Sequence, residues 1–456
     1  MMMLLSPSIS LLSRHVRYRS KNSISIRKAT EVYCPDKTLP RRSSLLPHPS
    51  PNLDPLKYDL PPYVYHIKCE KVYNNIEECI NHETKLELSY IKELLSFGAV
   101  YISSSSSSAA AKKKKKVHSD NKHSDNKQSI VKVDRYFNNS KTKKIDIGTY
   151  IRVHVNPRRH TAVYEKSINW KSLIHIQEPI ANKESLNLSN NTLNMTDLII
   201  VDKPANVPHV PTVDNYIENL WYQVMLFLKT TNDIYITSRL DTCTSGTTLF
   251  TKNVEAASLV NKAIRNRNVK KVYKALILKP IKLGLISHSY RKVSKNHVNG
   301  KPSLLRPYDS ELINQNDEEN WIEAELEIIS CTKLSNDQIN MNEIKHHIKN
   351  IEEQQINFYE CEINLITGRT HQIRLQLAAE GSSLVGDSRY MPVTGLLDDC
   401  NLGNKHGDGT QLMGPDPKRI GLQCASLSFP NSLFGISPYD EYQTWNSSTP
   451  WWRKAN

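Results

Sequence analysis

The sequence predicts an α+β protein with two folded parts, and three segments carry that expectation. KKVYKALIL at 270–278 is β-rich, with Lys271, Tyr273 and Ala275 alternating with Val272, Leu276, Ile277 and Leu278, so a strand is expected with Tyr273 on one face. TGRTHQIRLQLAAEG at 367–381 opens on a turn at Gly368, repeats Ile373, Leu377 and Ala378 at helical spacing, and offers Gly381 as a C′ stop. IKELLSFGAVYIS at 91–103 reads as a helix, a glycine turn and a strand, and IDIGTYIRVHV at 145–155 as a closing strand pair.

Residues 1–30 carry Arg14, Arg17, Arg19, Lys21, Arg27 and Lys28 with seven serines, and the first acid is Glu31. The apolar start MMMLL is broken by Ser6 and Pro7, too short for a secretory core or for the ~20 residues of a membrane helix. Residues 1–34 are therefore expected to be an organelle transit peptide, mitochondrial in the first place and plastid in the second. The alternative is a basic tail on a nuclear or cytoplasmic protein. The prolines of 35–62 mark a linker.

Residues 63–156 are expected to form a small α/β RNA-binding module. Its helix, its Gly-Ala-Val turn and its Gly-x-x-Ile-Arg-Val run resemble the S-four-like module, named for a ribosomal protein, that precedes many enzymes of one RNA-modifying family. SSSSSSAAAKKKKK and a tandem HSDNK repeat interrupt it, and such low-complexity sequence cannot bury a core. Residues 103–130 are thus expected to be a disordered insert, 157–195 a second linker, 196–445 the larger domain and 446–456 a tail.

Within the larger domain, Asp241 stands in SRLDTCTSG at 238–246, between Arg239 and a cluster of small residues. Taken alone this composition suits an Asx-type turn. Arg369, His371 and Arg374 crowd the start of the 367–381 helix, where they could form a solvated face, bind phosphate or pair with a carboxylate. LIIVDKPANVPHVP at 198–211 places Lys203 and Pro204 after an apolar strand, and LQCASLSFP lies at 422–430. These five blocks, in this order and spacing, and with the 367–381 run continuing through SSLVGDSRY to 390, resemble the RluA-type pseudouridine synthases.

The resemblance implies a mixed, mostly antiparallel sheet with helices. It implies an isomerase that turns one uridine of structured ribosomal or transfer RNA into pseudouridine. Cutting and remaking a ribose–uracil bond needs one ionised carboxylate and no cofactor, and the chain has no GxGxxG, no P-loop and no metal-spaced His/Cys/Asp set. By resemblance the catalytic residues are Asp241 as nucleophile, Arg374 as its partner, and Tyr273 as the base-stacking aromatic and a candidate base for the last proton. Arg239, Lys271, Arg369 and His371 are the expected RNA-binding or Asp-orienting contacts, and the target uridine must flip out of its helix.

Two positions depart from the family pattern: Ser238 and Gln423 stand where histidine is usual. They keep open a second reading, a catalytically silent RNA-binding or ribosome-assembly factor. Segments 281–355 and 391–420 are expected to be loop expansions. A formal charge of +14, from 60 Lys and Arg against 46 Asp and Glu, suits an RNA partner. No membrane partner is expected, and a monomer is. The eight cysteines form no CxxC pair, so metal is not expected and a reducing compartment is. Cys243 should be a free, semi-buried thiol, with a redox switch as the alternative.

Overall fold

The computed structural model describes residues 64–103, 133–136, 144–177, 192–230, 234–291, 304–307, 321–347, 356–390, 418–436 and 440–454. The leader at 1–34, the linker at 35–62 and nearly all of the 103–130 insert lie outside these residues, as do 391–417. The chain divides into two units, Met1–Thr161 with Val210–Thr231, and Ala162–His209 with Asn232–Asn456.

In the first unit, strand β1 (Val64–Lys68) leads to helices α1 (Ile76–Thr84) and α2 (Leu88–Ser96), then to β2 (Val100–Ser103), β3 (Val133–Arg135) and β4 (Tyr150–His154). The strands form an antiparallel sheet in the order β1-β4-β2-β3. Asn75 caps α1 by accepting from the backbone N–H of Glu78 at 2.7 Å. Gly98 forms the turn into β2 at φ +64°, and a Cβ there would lie 3.0 Å from Arg135 Cδ and Tyr216 Cβ, so conformation and space both call for glycine. Ile67, Val100, Ile151 and Val153 face Ile76, Ile80, Ile91 and Leu94 of the helices, all buried in one core. Each such side chain contributes ~1.5–3 kcal/mol on burial.

Two details of this unit differ from expectation. The 145–155 segment yields one strand, β4, and Ile145 only an isolated bridge to Tyr73. The unit also includes residues from the 196–445 span: Val210–Thr231 belongs to it, with helix α3 (Leu220–Leu228), capped by Asn219 and burying Leu220, Trp221, Val224 and Met225.

The second unit holds β5 (Ile174–Ile176), β6 (Leu198–Lys203), β7 (Tyr235–Ile236), β8 (Ser245–Thr251), helix α4 (Val254–Arg265), β9 (Lys270–Ile277), β10 (Gly284–Arg291), β11 (Leu304–Pro307), β12 (Ile322–Lys333), β13 (Tyr359–Leu365), helix α5 (Gln372–Ala379), β14 (Leu422–Pro430) and β15 (Tyr442–Asn446). The sheet runs β11-β10-β12-β13-β9-β14-β8-β6-β5, with β15 beside β14 and β7 beside β8. It is the expected mixed, mostly antiparallel sheet, and β14 with β8 is its parallel pair. The strand expected at 270–278 is β9, and the helix expected within 367–381 is α5, followed by Gly381 at φ +78°.

Three expected connections turn out to be structural. Segment 281–355, read as a loop expansion, supplies β10, β11 and the twelve-residue β12. The linker at 157–195 supplies β5, which pairs with β6. In the tail at 446–456, Trp452 is fully buried and its indole N–H donates to Glu360 at 2.7 Å, while Arg453 forks onto the same carboxylate at 2.9 and 3.0 Å. Polarity misled the reading at each place, because the partners of these residues lie far along the chain. Among the described residues no helix is long and apolar enough to cross a membrane.

Candidate active site

The loop between β7 and β8 carries Asp241 and is held from below by a buried lysine. Lys203, the last residue of β6, is 1% exposed. Its ammonium donates to the carbonyls of Pro204 at 2.8 Å, Thr242 at 3.2 Å and Thr244 at 2.8 Å. Burial draws its pKa down to about 7, against the opposing pull of Cys243 and Asp241. The backbone N–H of Leu240 donates to His209 at 3.3 Å, a second tie. Cys243 is a free thiol, buried, and burial pushes its pKa up to about 12, which disfavours the reactive thiolate.

The loop ends where β8 meets β14, and this contact demands Gly246. Its φ is +110°, and a Cβ would stand 2.3 Å from the Cys424 carbonyl oxygen. Cys424 in turn lies opposite Tyr273 of β9. Tyr273 is 8% exposed. Burial, then Cys424 and Asp241, raises its phenol well above the ordinary range.

Helix α5 brings Arg374 and, just before its first turn, His371. Gln372 fastens its first turn: the amide oxygen accepts from Thr367 Oγ1 and the Arg369 N–H, each at 2.9 Å, and the amide nitrogen donates to the Glu325 carbonyl of β12 at 3.0 Å. His371 precedes the helix at φ +56°, a left-handed conformation that costs free energy in a non-glycine residue. That conformation sets its Nε2 3.6 Å from Asp241 Oδ1 while Nδ1 pairs with the Tyr390 hydroxyl at 2.7 Å.

Arg374 is 2% exposed, and its Nη1 lies 3.5 Å from Asp241 Oδ2. Both side chains thus lie within 4 Å of the aspartate but beyond close hydrogen-bond contact. The near partner of Arg374 is Asp387, which accepts from Nε at 2.7 Å and Nη2 at 2.8 Å and is itself buried. Burial opposes the Arg374 charge, but the Asp387 hydrogen bonds more than offset it and its pKa rises. The guanidinium also lies over the Tyr390 ring at 4.9 Å.

The expected contacts divide. His371 and Arg374 meet Asp241. Arg369 donates Nε to the Glu323 carbonyl of β12 at 2.9 Å, which anchors the turn to the sheet. Lys271 shares a strand face with Tyr273 and reaches toward the Gly368 turn, its Nζ 3.5 Å from where a Cβ there would stand. Arg239 is exposed beside the aspartate loop. Gln423 is buried and donates to Ser447 Oγ at 2.8 Å and the Ser448 carbonyl at 3.1 Å, so it secures the chain end. Three residues of this arrangement had no assigned role in the sequence: Lys203 as loop anchor, Asp387 and Tyr390. Only the VGDSRY run marked the last two, and it shows no partner. Among the described residues no group of three or more His, Cys, Asp or Glu could hold a metal.

Comparison with known proteins gives consistent matches. The family model described as RNA pseudouridylate synthase matches residues 197–379. The chain is 30% identical over 428 residues to "RNA pseudouridine synthase 6, chloroplastic" of Arabidopsis thaliana, covering 87% of this chain and 82% of that protein. It is 29% identical over 325 residues to the protein of the same name from Oryza sativa subsp. japonica, covering 68% of this chain and 61% of the rice protein. It is 26% identical over 193 residues to "tRNA pseudouridine(31) synthase" of Saccharomyces cerevisiae, covering 42% of this chain and 44% of that one.

Proposed function

The chain belongs to the RNA pseudouridylate synthase family, and from that premise we propose that it isomerises one uridine of a structured ribosomal or transfer RNA, with Asp241 as nucleophile and no cofactor. The observation that carries this reading is the placement of Asp241 Oδ2 and Oδ1 3.5 Å from Arg374 and 3.6 Å from His371. A carboxylate placed beside a buried guanidinium is positioned to act as the nucleophile that the reaction needs. The carboxylate attacks carbon 1′ as the bond to N1 breaks, or removes the carbon 2′ proton as that bond breaks to leave a glycal. Uracil turns, and carbon 5 joins carbon 1′ as the aspartyl ester bond breaks or as the glycal regains its carbon 2′ proton; carbon 5 then releases its proton and N1 takes one up.

Tyr273 stacks on the flipped base in this reading, a contribution of ~1–3 kcal/mol. A phenol held protonated by burial is a poor base at neutral pH, so stacking is favoured over proton removal. Lys271 and Arg239 would meet RNA phosphates, and the first unit, as an S-four-like module, would grip the folded RNA.

For the compartment, the plant relatives are both named chloroplastic, which favours the plastid over the mitochondrion for this chain. The yeast relative is named for a transfer RNA, which keeps that substrate class beside ribosomal RNA.

The test is carbodiimide–primer-extension mapping of organellar ribosomal and transfer RNA incubated with purified protein. Wild type should introduce pseudouridine, and Asp241→Ala should abolish it while RNA affinity stays intact. Identical maps for the two proteins would leave the silent RNA-binding factor as the reading.

A further inference from the structure

The four-stranded sheet of the first unit has two unlike faces. One packs on α1 and α2. The pleat sends the alternate residues to the other: His66 and Lys68 of β1, Tyr101 of β2, Arg135 of β3, and Tyr150, Arg152 and His154 of β4. Register aligns four of these in one row across all four strands, with His66 opposite Arg152, Arg152 opposite Tyr101, and Tyr101 opposite Arg135.

Both guanidiniums lie over the Tyr101 ring, Arg152 at 4.5 Å and Arg135 at 5.0 Å from its centroid. Arg135 donates to neutral acceptors, the carbonyls of Gly98 at 2.6 Å and Thr212 at 2.7 Å. Among the described residues neither arginine makes an ion pair. The nearby acid is Asp214, whose oxygens accept from the Arg158 N–H and the Thr212 hydroxyl, each at 2.8 Å.

One donor on this face is left over. Among the described residues Arg152 Nε is a buried atom with no hydrogen-bond partner, and so is the ring nitrogen His154 Nε2. A buried guanidinium N–H without an acceptor is costly, and phosphate is the acceptor that the planar fork fits best. The two helices on the other side are acid-rich within their spans. Helices α1 and α2 carry Glu77, Glu78, Glu83 and Glu93 against one lysine, Lys92. A polyanion is favoured more by the basic residues of the sheet face than by these helices.

The β2–β3 end of this face is covered by the 212–216 segment, which accepts hydrogen bonds from Tyr101 and Arg135 and stacks Tyr216 on Arg135. We propose that the uncovered β1–β4 end of the face binds the phosphodiester backbone of the substrate RNA, with Arg152 as the anchor and Lys68 as an outer contact. The proposal rests on RNA being the substrate and not on the role of Asp241. Neutral-acceptor and ring contacts hold the arginines in place without cancelling their charge, so the face is ordered before RNA arrives.

The experiment is equilibrium binding of the full chain to an unmodified, in vitro-transcribed transfer RNA across a salt series. Lys68→Glu and Arg152→Ala should each weaken binding severalfold, together about tenfold or more, and each should lower the slope of log K against log salt by about one. Lys92→Ala on the helix side should bind as wild type does. Lys68 is exposed, so its variant keeps the test alive if Arg152→Ala fails to fold. Unchanged affinity and slope for Lys68→Glu, or an equal loss for Lys92→Ala, would overturn the proposal. Binding needs no turnover, so the result stands whether or not Asp241→Ala still forms pseudouridine.

Discussion

Arg374 answers to two carboxylates, and the geometry ranks them. Asp387 takes two hydrogen bonds at 2.7 and 2.8 Å, whereas Asp241 waits at 3.5 Å. The buried Asp387 therefore fixes the guanidinium, and Asp241 stays close enough to be stabilised and loose enough to react. Asp387→Ala should leave a buried arginine short of its main partner, a loss typically worth ~3–5 kcal/mol. Thermal melting and turnover should both fall, and RNA affinity should hold. Tyr273 gives a sharper contrast. Tyr273→Phe keeps the ring and should retain most pseudouridine formation in single-turnover assays, while Tyr273→Ala should lose it; equal loss in both would assign the hydroxyl a chemical role. The acid and its arginine were legible as members of a motif. Asp387 was not, because a carboxylate thirteen residues downstream shows nothing of its partner until β9 and α5 are packed.

At the scale of elements, α5 shows why periodicity tells only part of the story. Ile373 and Leu377 mark its apolar stripe, yet Gln372, Arg374 and Gln376 are buried as well. Gln376 donates to the Ala324 carbonyl at 3.1 Å, so polar side chains tie this helix to strands fifty residues away. A 3.6-residue pattern assigns such residues to solvent. Strand β12 was missed for a related reason, since its exposed face is glutamate-rich. The β8–β14 contact has a single-residue requirement. Gly246→Ala adds a methyl where the Cys424 carbonyl already lies 2.3 Å away and at a φ of +110°. We expect destabilisation of ~3 kcal/mol or more, read as a fall in melting temperature, or loss of soluble protein. A variant that melts with wild type would mean that β14 can shift freely.

For the whole molecule, the carboxyl-terminal residues act as a clasp on the second unit. Burial works against the Glu360 charge, but hydrogen bonds from Arg453 and Trp452 outweigh it and lower its pKa. Stability from a depressed carboxylate is present above the unfolded pKa, near ~4.3, and is lost as pH falls through the folded value. Glu360→Gln should therefore melt below wild type at pH 7, by ~1.5–3 kcal/mol in stability, with the gap closing in acid below about pH 4. A gap that persists there would trace the effect to packing. The first unit poses a different matter. Its helix α3 comes from Val210–Thr231, after β6 of the second unit has already passed in the chain. During synthesis the ribosome thus delivers the opening strands of one unit before the last piece of the other. The amino-terminal unit cannot finish folding until residue 231 has left the exit tunnel, so a chaperone has a defined interval in which to meet the unburied core.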